Sequence, residues 1–170
     1  KATGGTGMNF SRLRSRDALV GSSGEVASGP ITFMKAFDSA LETIRTKGGR
    51  KQGAMGILNV EHPDIEEFIK SKDDGTSLSN FNISVGITDN FMRALEKDDE
   101  YSLVDPHTKK IVKKIKAKEI FDLIVRHAWK TGDPGVIFLD IIEKANPTPE
   151  IGKLESTNPC GEQPLLDYES

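Results

Sequence analysis

The chain has 170 residues, 36% hydrophobic and 29% charged, with a net charge of −3. This describes a folded domain able to bury a core. It excludes the broad basic field of a nucleic-acid binder, and no apolar run approaches the roughly 18 residues of a membrane span. A single cysteine closes no internal disulfide, so the expected setting is the cytoplasm.

The chain opens inside a glycine-rich run, "KATGGTGMNF", and stops at "LLDYES". Both ends read as cuts. Residues 1–170 are therefore expected to be one segment of something longer. "GGTG" at 4–7 reads as a turn and "VGSSGEVASG" at 20–29 as a loop. "PITFMKAFDSALETIRTKGG" predicts a helix, with Pro30 in its first turn and Ile31, Met34, Phe37, Leu41 and Ile44 at helical spacing. Lys47 and Gly48 are the expected stop. A basic loop, "GRKQG", leads into a strand, "AMGILNV". "HPDIEEFIKSK" predicts a short helix with Ile65, Phe68 and Ile69 on one face. After a turn, "FNISVGI" predicts a second strand and "TDNFMRALEKD" a helix capped by Thr88 or Asp89.

"YSLVDPHTKKIVKKI" predicts a hairpin across Asp105–Thr108. Its lysines alternate with apolar residues, which points to a half-exposed strand rather than a nucleic-acid contact. "KAKEIFDLIVRHAWKTG" predicts a helix with Ile120, Phe121, Ile124 and Ala128 inward. "GVIFLDII" predicts a strand, and "KANPTPEIGKLESTNP" an extended loop. Strands alternating with helices indicate an α/β fold built mainly on parallel strands. Three or four core strands suggest part of a larger sheet or barrel.

The cysteine sits in "STNPCGEQ". Pro159 lacks an N–H and biases Asn158 toward extended backbone. In an extended chain, Asn158, Cys160 and Glu162 face one side together. From Leu154 to Leu166 there is no Lys, Arg or His, but there are Glu155 and Glu162. A nearby carboxylate disfavours the thiolate, so a neutral S–H is expected. That form suits hydrogen-atom transfer, with the carboxyl as general base for a neighbouring hydroxyl and the amide as an anchor. The competing reading is a small buried hydrophobe. No CxxC or paired histidine supports a metal site. His62 and His127 read as capping or packing residues, and His107 as a solvated turn residue.

"STNPCGEQPLLDYES" resembles the finger loop of the ribonucleotide reductase catalytic subunit, in its adenosylcobalamin-dependent class II form. "GGTGMNFSRLR", "GEVASGPITFMKAFD", "MGILNVEHPDIEEFI", "FNISVGITDNFM" and "AWKTGDPGVIFLD" resemble that family in the same order, so the resemblance covers essentially the whole chain. It implies the first half, plus finger loop, of a ten-stranded α/β barrel. It implies that Cys160 becomes a thiyl radical that abstracts the ribose 3′ hydrogen of a ribonucleotide. Glu162 takes the 3′-hydroxyl proton, and Asn158 holds the sugar. The deoxyribonucleotide is completed with electrons from two other cysteines, absent here, which an external thiol such as thioredoxin recharges.

By the same resemblance, Gly4 and Gly5 line the substrate pocket. "KGGRKQGAMG" is a specificity loop whose Arg50, Lys51 and Gln52 sense a deoxynucleotide effector. Arg16, Asp17 and residues 22–25 belong to a first such loop. Without the resemblance, "GGTG" is a turn and Arg50 and Lys51 are solvated cations. The resemblance also implies a homodimer, with Phe33, Phe37 and Leu41 at its interface or in the core. Two rival readings stand beside this one: a class I subunit with a separate radical-generating partner, and a nucleotide-binding fragment without catalysis.

Overall fold

The computed structural model describes residues 5–21, 23–43 and 53–168. In chain order the elements are β1 (Thr6–Asn9), β2 (Leu19–Val20), β3 (Glu25–Val26), α1 (Pro30–Thr43), β4 (Ala54–Asn59), α2 (Ile65–Lys70), β5 (Phe81–Ile87), α3 (Asp89–Glu96), β6 (Glu100–Val104), β7 (Ile111–Lys116), α4 (Ala117–Thr131), β8 (Gly135–Phe138), α5 (Leu139–Lys144), β9 (Ser156–Thr157) and β10 (Pro164–Leu165). Strands β1, β4, β5 and β8 form one sheet in that order, parallel throughout. The pairs β2–β3, β6–β7 and β9–β10 are antiparallel. No helix among the described residues is long and apolar enough to cross a membrane.

Strand alternation divides the sheet into two unlike faces. Ala54 and Leu58 of β4 and Phe81, Ile83, Val85 and Ile87 of β5 enter the core. They meet Ile31 and Met34 of α1, Phe68 of α2, Phe91 of α3, and Ile120 and Ile124 of α4. Phe10, just past β1, packs edge-on against Phe81 at 6.2 Å and Phe37 at 6.0 Å. Each such side chain contributes about 1.5–3 kcal/mol on full burial. The opposite face is made of Gly7 and Asn9, Met55, Ile57 and Asn59, Asn82, Ser84 and Gly86, and Gly135 and Ile137, matched across the ladder. It is flat and partly polar, and the C-terminal segment lies on it.

Most expected elements form. Helix α1 starts at Pro30, with Ile31 and Met34 buried and Leu41 partly so. Phe33 and Phe37 stay about half exposed, 48% and 45%. Ile44 and the expected stop at Lys47–Gly48 lie outside the described residues. Thr88 caps α3, its Oγ1 accepting from the Phe91 N–H. Gly132 ends α4 in the left-handed conformation that glycine adopts without strain. Along α4, Ile120 and Ile124 are buried, Phe121 packs partly buried against the core, and Ala128 is only half-buried.

The differences have local causes. Within the turn expected at 4–7, Thr6 and Gly7 are strand instead, because β1 pairs with β4 from Thr6 opposite Ala54 to Asn9 opposite Ile57. The 20–29 loop carries the short β2–β3 pair. The strand expected through residue 142 stops at Phe138. Leu139 turns across Gly86, and Asp140 accepts a hydrogen bond from the Asp89 N–H at 2.7 Å, starting α5 at the head of α3. His62 lies before α2 rather than in it.

Candidate active site

The stretch around the cysteine is a hairpin tip, not an extended row. Strands β9 and β10 pair with Thr157 opposite Pro164. Between them the Gly161 N–H donates to the Asn158 carbonyl at 3.0 Å, and Gly161 takes a φ of 85°. Asn158, Pro159, Cys160 and Gly161 thus fill the four positions of a β-turn whose last residue is a left-handed glycine. The expected alternation of Asn158, Cys160 and Glu162 fails for that reason: Pro159 fixes the first corner and Gly161 permits the second. The side chain of Asn158 closes the tip, its Oδ1 accepting from the Gln163 N–H at 3.0 Å. Among the described residues the Asn158 Nδ2 has no hydrogen-bond partner.

The hairpin is seated on the flat face of the sheet. The Glu155 carbonyl accepts from Asn9 Nδ2 at 2.8 Å. A Cβ on Gly7 would fall 1.8 Å from the Thr157 carbonyl oxygen, and one on Gly5 would fall 2.3 Å from Pro159 Cδ. Gly53 also faces Pro159, and the Pro159 carbonyl accepts from Asn82 Nδ2 at 2.8 Å. Gly161 reaches over to Ile137 of β8. The segment therefore descends β1 from its C-terminal end and presents Cys160 near the N-terminal ends of β1, β4 and β5.

Cys160 and Glu162 are both exposed. Among the described residues neither side chain has a hydrogen-bond or ion-pair partner. The reading of Cys160 as a buried hydrophobe is thereby overturned. Gly5 makes its close approach to Pro159. Gly4, Arg50, Lys51 and Gln52 lie outside the described residues. Arg16 pairs with Glu67 at 2.6 Å on the surface, and its N–H donates to Asp64.

His62 is buried, with Nε2–H donating to the Leu13 carbonyl at 3.0 Å and Nδ1 accepting from the Asp64 N–H. His127 Nδ1 meets Asp73 at 2.6 Å. His107, expected to be solvated, is exposed but places Nε2 3.1 Å from the Arg12 carbonyl. Among the described residues no group of His, Cys, Asp or Glu is arranged to hold a metal.

The sequence reading missed Asn9 and Asn82. The signal was available in "FNISVGI", where Asn82, Ser84 and Gly86 alternate with a fully apolar set.

A cleft of about 1060 Å³ opens at the other end of the sheet, at Asn9, Asn59, Thr88 and Leu139. Glu61, Tyr101 and Asp140 line it. Burial pushes the Tyr101 phenol up, against the pull of its hydrogen bond with Thr88. Neither Cys160 nor Glu162 belongs to this cleft. The described residues also make no seat for a corrin ring at the thiol: the sulfur is on open surface, and all three histidines are engaged elsewhere.

The ribonucleotide reductase barrel-domain family matches residues 1–170. The chain is 60% identical over 172 residues to the vitamin B12-dependent ribonucleoside-diphosphate reductase of Thermoplasma acidophilum, covering all of this chain and 22% of the relative. It is 50% identical to that of Mycobacterium tuberculosis H37Rv, covering 24% of it. It is 36% identical to the vitamin B12-dependent ribonucleotide reductase of Streptomyces avermitilis, covering 20%. The chain thus spans about a fifth to a quarter of the length of these relatives. Matched along its whole length, with a lone thiol carried across a parallel sheet, the chain belongs to the ribonucleotide reductase family, in its barrel domain.

Proposed function

We propose that this chain is the part of an adenosylcobalamin-dependent ribonucleotide reductase that carries the hydrogen-abstracting cysteine. The observation that supports this most directly is Cys160 exposed at the apex of a tethered turn, with the exposed carboxylate of Glu162 two residues on and neither side chain partnered among the described residues. As a thiyl radical, Cys160 takes the 3′ hydrogen atom of the ribose and becomes S–H. Glu162 takes the 3′-hydroxyl proton. The 2′-hydroxyl leaves as water, and two cysteines outside this chain supply two electrons and become a disulfide. The 3′ hydrogen then returns from Cys160, regenerating the thiyl. Asn158, its oxygen committed to the turn, presents Nδ2–H to a ribose hydroxyl. An external thiol such as thioredoxin reduces the disulfide.

The names of the relatives support adenosylcobalamin as the cofactor of the longer protein. We place its seat outside the described residues. We place the four-stranded sheet in the first half of a ten-stranded barrel, in a homodimer whose substrate choice follows a bound deoxynucleotide. Arg50, Lys51 and Gln52 are the proposed effector contacts. Arg16 joins them only by leaving Glu67, and an exposed pair of that kind contributes about 0–1 kcal/mol.

In the full-length enzyme, Cys160→Ser is expected to abolish reduction while nucleotide binding stays nearly intact. Substantial turnover by the serine variant overturns the assignment. Turnover with adenosylcobalamin and no second subunit is expected; dependence on a metal-containing partner would move the protein to class I.

A further inference from the structure

We propose that Asn82 is a positioning residue that fixes where the Cys160 thiol stands. The inference rests on the catalytic reading of Cys160 given above.

The turn carrying the cysteine is bound to the sheet at two levels. At its base Thr157 lies on Gly7, and the Glu155 carbonyl accepts from Asn9 Nδ2. At its tip, Pro159 rests against Gly5 and Gly53, which offer van der Waals contact but no direction. Pro159 has no N–H, so its carbonyl is the only backbone hydrogen-bonding group the residue has. That carbonyl receives Asn82 Nδ2–H at 2.8 Å. The peptide unit so bound runs directly into the Cys160 nitrogen. Its orientation therefore sets the direction in which the cysteine Cα–Cβ bond leaves the backbone.

Asn82 is well placed to act as a fixed post. It is the second residue of β5, paired with Met55, between Phe81 and Ile83, both about 99% buried. Its backbone is thus held by a strand buried at every position but Asn82, whose exposed side chain stands on the sheet face that carries the hairpin. Glycines beneath Pro159 and Thr157 let the hairpin lie close enough for the short Asn82 side chain to reach it. Hydrogen-atom transfer depends steeply on donor–acceptor placement, and a misplacement of about 1 Å costs on the order of 100-fold in rate.

The test uses Asn82→Ala in the full-length enzyme with two readouts. One is the alkylation rate of Cys160 by iodoacetamide, followed by mass spectrometry of its peptide with the remaining cysteines as internal controls. The other is kcat and KM for the nucleotide. The expected result is a several-fold change in Cys160 labelling alone, with kcat reduced by about tenfold or more and KM nearly unchanged. Unchanged labelling and unchanged kcat overturn the proposal. Equal losses across all cysteines and in KM overturn it too, because they mark a general loosening. Altered labelling with full turnover would support the tether but overturn the catalytic reading of Cys160, so the two failures are distinguishable.

Discussion

Gly7 lies directly beneath Thr157, so close that a Cβ at position 7 would stand 1.8 Å from the Thr157 carbonyl oxygen. No rotamer change relieves such a clash, because both parties are backbone. Glycine inside a strand ordinarily weakens it. Here it allows the segment carrying Cys160 to lie flat against β1.

Gly7→Ala is therefore expected to lift the hairpin. In most strands this exchange is neutral or favourable; here it should destabilise by about 1–3 kcal/mol, the range of an overpacked contact. Thermal unfolding of the full-length protein would read this, alongside turnover. Unchanged stability and turnover would mean that the hairpin is not seated on β1.

Glu162→Gln keeps the size and removes the proposed base. The 3′-hydrogen abstraction step is expected to slow by about 100-fold or more, measured as single-turnover product formation and its isotope effect with 3′-deuterated nucleotide. Binding of the nucleotide should change little. An unaltered single-turnover rate and isotope effect would remove Glu162 from the base role.

Asp105 organises the β6–β7 turn. Its Oδ1 accepts from the N–H groups of Thr108 and His107 and from the Thr108 hydroxyl. The Thr108 N–H, ahead of the other partners, holds this carboxyl below the usual carboxylate range. A depressed folded pKa means stability fully present above the unfolded value and lost as pH falls through the folded one. Asp105→Ala should thus lower the stability of the protein at neutral pH. The gap between parent and variant should close as pH drops below about 4, the ordinary aspartate value. A gap constant down to acid pH would contradict the carboxylate's role.

Phe81 begins β5 and is 1% exposed, packed against Phe10 and over Gly56. Phe81→Ala is expected to cost about 3–5 kcal/mol, read by denaturant unfolding. Because Asn82 is the next residue, the same variant should also loosen the Cys160 turn and raise its labelling. A loss under about 1 kcal/mol would place Phe81 outside the core.

The elements were largely legible in the chain. Met34 and Ile31 at helical spacing, the apolar run of β4, the alternation of β5 and the cap at Thr88 each depend on neighbours a few residues away. Where the element boundaries were misread, the deciding partner was distant. Residues 6–9 look like a flexible glycine run until β4 offers them a parallel ladder. "GVIFLDII" looks like one strand until Gly86 and Asp89 draw Leu139 and Asp140 into α5.

The sequence by itself determined which groups flank the thiol along the chain: one cysteine, a carboxylate two residues on, and no cation between Leu154 and Leu166. These are properties of covalent order, and folding does not alter them. Only the tertiary structure decided where that thiol stands. Proline and left-handed glycine made a turn of the stretch that local alternation would have extended, and Gly5, Gly7, Asn9 and Asn82 drew it onto the sheet. Those contacts join residues 75 or more positions apart, and a seat of that kind exists only once the parallel strands have assembled beneath it.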